Sequence, residues 1–513
     1  MKNTNESRRT FIKAAGATAL CGICGLPHFA CKEEKKSHPV VESKEDSKKV
    51  DLLEVREGIF RPTLTGATVH WTPRARTESQ VLAGTSKADL RLIKELTSSD
   101  AVEVLIDGFE EDTEFFWQCK HRQAPDAPWT ESAVRTCRTR RLSGTTFQLA
   151  LFADSHYYSA RSIPALVQNI SQCMEAVRKG PHDFCVFLGD EAGVHFAGDR
   201  DARHSRDLAR ERWRQWRDVA ADLLADVPSF MVLGNHEGEA GFYQEMEEER
   251  GAYLQRWGTI ERKRHFLNPV PLTYPEGGEN EYWRGTSGRG PTGGAEEGNC
   301  SPLQNYFAWT WGDALFVVLD VHRYTNVGKG TPQQPEDWTL GQAQLDWFER
   351  VATKSSARWK FVIAHHVVGG SEWSTNCKVR NSGYAYGRGG ARYARVGEQS
   401  KITDIMKRAG CQFFVYGHDH IFAHQQAEGI HYVCCGRPTF VPSHWADEAG
   451  FVEAYGDHRA RDPYDFFMDV GYTRLTVGPD KVAFEYIKTG MDPKGAENIK
   501  VNVGDVVHRF EVT

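Results

Sequence analysis

Five short polar clusters stand at the ends of apolar runs: Asp154-Ser155-His156 after FQLALFA, Gly189-Asp190 after DFCVFL, Gly234-Asn235-His236-Glu237 after SFMVL, His365-His366 after KFVIA, and Gly417-His418-Asp419-His420 after CQFFVY. Taken singly each is ordinary, because Asp and Asn serve widely as turn residues. Five in succession are a different matter. Carboxylates, imidazoles and a carboxamide gathered in one buried place each carry a heavy desolvation cost unless counter-charges are present, and cations supply that charge. The donors Asp154, His156, Asp190, Asn235, His365, His418 and His420 offer oxygen and nitrogen with no sulfur. That set suits zinc, manganese or iron better than copper(I) or a cluster. Seven donors are too many for one tetrahedral ion and fit two ions that share a bridge.

The elements that must position these residues follow from hydropathy. The five apolar runs, and ALFVVLD at 314–320, lack alternation, as expected of strands covered on both faces. Helical spacing is clearest over Ile163–Arg178, Arg203–Leu224 and Gly341–Val351. The βα alternation predicts an α/β domain over 144–513 with a mostly parallel sheet, and ligands of such sheets bind beyond the carboxyl ends of the strands. Ser155, wedged between two donors on an extended segment, directs its side chain away from theirs and is a poor nucleophile. Two long interruptions, Glu239–Pro302 and Gly369–Gln399, follow polar strand ends and are expected to wall the site.

Ahead of this domain, residues 51–143 read as strand and turn. ATVHW puts Ala67, Val69 and Trp71 on one face, VEVLI does the same with Val102, Val104 and Ile106, and FFWQC and SAVRTCRTR continue the pattern. A small all-β domain, a fibronectin-like sandwich, is expected there. No catalytic cluster is evident in it, so it reads as a packing or docking module.

Residues 1–31 carry a twin arginine (Arg8, Arg9), an apolar stretch and small residues before Cys31, the order of a twin-arginine export signal. Lys32–Lys49 holds 11 charges in 18 residues, and 32–50 reads as a solvated linker. Cys31 is placed as a lipoprotein anchor would be, although His28 stands where a branched aliphatic residue is usual; ordinary cleavage is the alternative. An exported, periplasmic or cell-surface location follows, with the Tat export machinery as a partner. The formal charge is −6, and −9 beyond the first thirty residues, which does not favour a nucleic-acid partner. Beyond the signal region nine cysteines form no CxxC pair, against a zinc ribbon or iron–sulfur site. In an oxidising compartment Cys119 with Cys137 and Cys300 with Cys377 are candidate pairs.

The ordered set DxH, GD, GNHE, H and GHxH resembles the calcineurin-like metallophosphoesterase superfamily over about Thr145–Lys488, and with the preceding β domain it is similar to bacterial relatives of purple acid phosphatases. The resemblance implies a metallophosphoesterase β-sandwich flanked by helices and two metal ions (manganese, iron or zinc). One ion would be held by Asp154, His156, Asp190 and His420, the other by Asn235, His365 and His418, with Asp190 as bridge. His236 would be the catalytic histidine beside the phosphoryl or leaving-group oxygen, and Glu237 would orient its ring. Two departures from purple acid phosphatases stand out: Gly193 replaces their iron-binding tyrosine, and His156 is a histidine they lack. The implied activity is hydrolysis of a small phosphate ester by metal-activated water, as a phosphatase. The alternatives are a phosphodiesterase or nucleotidase, or a surface binding protein without catalysis, which the complete donor set disfavours. His366, His195, His322 and Arg323 are candidate substrate contacts, with Tyr384, Tyr386, Arg388 and Arg392 in the second interruption.

Overall fold

The structure is a computed structural model that describes residues 55–194, 206–238, 257–269, 304–322, 340–366, 396–418, 420–427, 429–439, 465–467, 469–491 and 501–513. The export signal, the linker, Cys300, Cys377, Asp419, His195, Arg323, Tyr384, Tyr386, Arg388, Arg392 and most of both interruptions lie outside the described residues.

The small β domain has two antiparallel sheets. Gly58–Phe60, Ala67–Trp71 and Val102–Ile106 form one; Arg91–Ser98, Thr77–Gly84, Glu114–Arg122 and Thr130–Glu131 form the other, with Arg135–Arg138 also paired to Glu114–Arg122. Their inner faces meet around Trp71, Val81, Val104, Phe115 and Trp117. Arg91–Ser98 escapes a reading by alternation because it is an edge strand with neither face buried. The expected Cys119–Cys137 pair is absent, and both are buried free thiols. Register explains it: Cys137 stands opposite Phe115. Cys119 is four residue steps along the strand from that position, roughly 13 Å, far beyond disulfide reach.

The larger domain is the expected β-sandwich flanked by helices, and the strands expected to lie in a mostly parallel sheet are divided between two mixed ones. Two sheets pack face to face. In the first, Ser229–Met231, Phe184–Phe187 and Phe147–Phe152 run parallel, and Gly471–Val477, Val482–Lys488 and Val506–Val512 continue antiparallel. In the second, Ala314–Val318, Trp359–Ile363, Phe413–Tyr416 and Ile430–Cys435 run parallel, flanked by antiparallel Phe307–Trp311 on one side and Phe422–Ala427 and Asp465–Phe467 on the other. Phe147, Leu149 and Leu151 point between the sheets with Phe316, Phe361 and Phe413. Ala150 and Phe152, on the opposite face, pack under Pro164–Lys179 and Arg206–Val219 through Ile170, Val177, Trp213 and Trp216. Gln342–Lys354 and Val396–Ala409 cover the second sheet with Phe348, Val351, Ile402 and Met406. Strands buried on both faces are apolar at nearly every position, hence the long apolar runs. The result is a β-sandwich between two helical layers.

The helix expected over Arg203–Leu224 is broken at Ala220 (φ −84°, ψ 0°) into Arg206–Val219 and Ala221–Asp226. Near the break, buried Arg217 joins the domains. Its guanidinium donates to the carbonyls of Arg56 (2.8 Å), His70 (3.1 Å) and His265 (2.9 Å) and lies over the Phe60 ring. Arg135 pairs with Asp226 at 2.6 Å, and Phe60 itself enters the core behind the first sheet. Among the described residues no helix is long and apolar enough to cross a membrane.

Candidate metal centre

Three of the polar clusters cap adjacent parallel strands of the first sheet, and two cap adjacent parallel strands of the second. Backbone hydrogen bonds tie the tips together: Asp154 N–H donates to Gly189 O (2.9 Å), His156 N–H to Asp190 O (2.9 Å) and Gly417 N–H to His365 O (3.0 Å). The turns at the tips are tight. Asp154 (φ 58°), His156 (41°), Asp190 (58°), His418 (73°) and His420 (59°) all sit in the left-handed region, where only three other described non-glycine residues occur. Such conformations are disfavoured by about 1–3 kcal/mol each and persist where surrounding structure enforces them. Gly234 is required by close approach, since a Cβ there would lie 2.1 Å from Asp190 Oδ1 and 2.3 Å from its backbone nitrogen.

The side chains converge. Donor atoms of Asp154, His156, Asp190 and His420 lie within 4.8 Å of one another, as do those of His365, His366 and His418. Asp190 stands between the groups, with Oδ2 3.6 Å from His156 Nε2, 3.2 Å from His365 Nε2 and 3.5 Å from His236 Nε2. Asn235 Oδ1 is 3.2 Å from His365 Nε2, and His156 Nε2 is 3.0 Å from His420 Nε2. On its outer side His365 Nδ1 meets Leu188 O at 2.8 Å; donating there, it turns the Nε2 lone pair inward. Burial pushes the Asp190 carboxyl up, but the imidazoles of His236, His365 and His156 outweigh it and hold it well below the usual range. Burial and the neighbouring histidines His156 and His418, with Arg437, keep His420 neutral.

A cation fits these residues. Asp154 Oδ1 is buried with no hydrogen-bond partner, yet His420, His156 and His365 aim Nε2 atoms at it from 3.5, 3.8 and 3.9 Å. A buried carboxylate oxygen ringed by imidazole nitrogens beyond hydrogen-bonding distance is what a metal ion satisfies, and the oxygen and nitrogen set matches manganese, iron or zinc.

Three features differ from expectation or were not read from sequence. Glu237 does not orient the His236 ring; its carboxylate accepts the backbone N–H groups of Asp190, Ala192 and Gly193 (2.9 Å each) and Gly234 (3.1 Å), holding two ligand loops in place. Burial and the Asp190 charge raise its pKa to about 7. His366, expected to touch substrate, has a ring nitrogen close to the donor atoms of His365 and His418; its ring centroid is 3.6 Å from that of His418 and 5.0 Å from that of His322. Arg437, 2% exposed, lies near enough to His420 to lower its pKa. Its signal was another strand end, IHYVCC followed by Gly436-Arg437. Ser155 is fully buried beside Glu191, away from any substrate approach.

A family model described as calcineurin-like phosphoesterase matches residues 147–422. No curated protein matches the chain. Among solved structures the chain is similar to PhoD, at 15% identity over 84% of this chain and 85% of that one with a TM-score of 0.57. It is also similar to the purple acid phosphatase PPD1 from yellow lupin (Lupinus luteus) seeds, at 12% identity over 89% and 74% with a TM-score of 0.53. At these identities the likeness is one of fold.

Proposed function

The chain belongs to the calcineurin-like phosphoesterase family and is a metal-dependent phosphoester hydrolase, and on that premise we propose that it is an exported phosphatase built on a two-metal centre. Asp154, His156, Asp190 and His420 would hold one cation, and Asn235, His365 and His418 the other, with Asp190 shared. Bound there, a pair of cations supplies Lewis-acid polarisation of the phosphoryl group and an acidified water. The protein's own part is positional. Glu237 fixes the Asp190 and Gly234 backbones, so the shared carboxylate cannot drift. His236 donates its backbone N–H to Asp190 Oδ1 at 2.8 Å, which sets its ring at the edge of the site, where it would give a proton to the leaving oxygen. His366 and His322 line the neighbouring wall. We further propose twin-arginine export of the chain, with Cys31 as the point of cleavage or lipidation.

The observation that carries the reading is the place of Asp190 Oδ2 between imidazoles of both groups. Turnover of p-nitrophenyl phosphate and of bis-p-nitrophenyl phosphate after loading with manganese, zinc or iron tests it. The monoester is expected to be the better substrate, and Asp190→Asn to lose at least about 100-fold in kcat, near 2.7 kcal/mol. Faster diester turnover would make the protein a phosphodiesterase. Unchanged turnover in Asp190→Asn would remove the catalytic reading altogether.

A further inference from the structure

The small β domain, which showed no catalytic cluster in its sequence, holds a separate set of metal-type donors. Strand Glu114–Arg122 alternates between outward and inward residues, so Cys119 and His121, two apart, point to the same face, and both are buried. Glu57, just ahead of strand Gly58–Phe60, closes on them. Its Oε1 lies 2.9 Å from His121 Nε2, and its side chain is 12% exposed. One oxygen, one sulfur and one nitrogen from these three residues come within 4.8 Å of one another. The second ring nitrogen of His121, Nδ1, is 2.8 Å from Ser79 Oγ. Without a cation Nε2–H donates to Glu57; with the proton moved to Nδ1 and donated to that hydroxyl, Nε2 would present its lone pair toward Glu57 and Cys119, the outer hydrogen bond that orients metal-binding imidazoles.

We propose that Glu57, Cys119 and His121 form a metal site that takes a zinc-class divalent cation, with its fourth position open to the cleft between the two domains. The mixed oxygen, sulfur and nitrogen set is zinc's rather than magnesium's or calcium's, and three protein ligands leave one coordination position for solvent. Two of the three donors, Glu57 and His121, line a cleft of about 230 Å³ together with Thr130, Arg135, Ala221 and Asp222. Charge balances as well. On binding, the Cys119 S–H bond gives its proton to solvent and the thiolate pair goes to the cation, the one proton of His121 passes from Nε2 to Nδ1, and the thiolate and the Glu57 carboxylate together neutralise the two positive charges. The burial and the Glu57 charge that keep the Cys119 thiol protonated without a cation are overcome when a cation arrives. The ion would clip the segment leading into Gly58–Phe60 to strand Glu114–Arg122, where the small domain meets Ala221–Asp226.

Cobalt(II) is the probe, titrated into the metal-stripped full chain. The strand-tip donors include no sulfur, and no other cysteine joins a donor group among the described residues, so the part of the near-ultraviolet thiolate-to-cobalt absorption that Cys119→Ser removes reports this site. The band is expected to reach a plateau by three equivalents, as this site fills alongside the two strand-tip positions, and to be lost in Cys119→Ser. Glu57→Gln and Ser79→Ala should each weaken its cobalt affinity by about 10–100-fold, with far-ultraviolet circular dichroism unchanged. Absence of the band at every loading, or its persistence in Cys119→Ser, overturns the proposal. Should Cys119→Ser not fold, unchanged cobalt affinity in both other variants overturns it equally.

Discussion

His236 reaches the site in two ways at once, through a backbone N–H donated to Asp190 Oδ1 at 2.8 Å and through a ring whose Nε2 is 3.5 Å from Asp190 Oδ2. Only the ring is removed by His236→Ala, so the substitution separates proton delivery from metal retention. It is expected to lower kcat by about 10²–10⁴-fold while elemental analysis still finds the wild-type metal content. Loss of metal together with activity would instead make the ring part of the cage. Glu237, its neighbour in sequence, shows where reading residues in order fails. The groups its carboxylate holds include Asp190, Ala192 and Gly193, more than forty positions away in the chain, and nothing in GNHE announces that reach.

At the scale of elements, the strand tips were legible because the same event recurs: an apolar run, commonly a glycine, then donors. The glycine is part of the device. Gly234→Ala would push a methyl group to within 2.1 Å of Asp190 Oδ1 and 2.3 Å of the Asp190 backbone nitrogen, so the loop must move. The variant is expected to lose about 1–3 kcal/mol of stability, as overpacked sites do, and to bind metal more weakly; denaturant unfolding checks the first and calorimetric titration with manganese the second, and wild-type affinity would show that the tips tolerate rearrangement. The partition of the strands between two sheets was not legible from hydropathy. Phe147–Phe152 and Phe413–Tyr416 are equally apolar yet belong to different sheets, because a strand covered by a helix and one covered by another sheet bury the same kind of side chain. Arg91–Ser98 left no alternation to read, being exposed along its length. Cys119 and Cys137 looked like a disulfide only until register separated them.

Across the whole molecule, the two domains share a core through Phe60 and a buried cation, Arg217. Burial near that junction keeps histidines neutral: His265 is pushed down to about 3 by burial and by Arg217 and its neighbours, and elsewhere burial holds His182 to about 4 and His424 to about 3. In the unfolded chain each takes up a proton near 6.5. The unfolded state therefore binds more protons below that pH, and stability present above about 6.5 is lost as pH falls toward 3–4. Denaturant unfolding at a series of pH values should show this decline, and His265→Gln should flatten it by up to about 1.4 kcal/mol per pH unit; an unaltered slope would mean that His265 is not buried neutral. The central claim is that five chain segments converge to hold two ions around Asp190. Anomalous diffraction at the metal absorption edges from crystals of the metal-loaded protein tests it most directly. The account predicts two peaks about 3.5–4 Å apart, both in contact with the Asp190 carboxylate, one also contacted by His156 and the other by His365. A single peak, or two peaks that do not share Asp190, would contradict it.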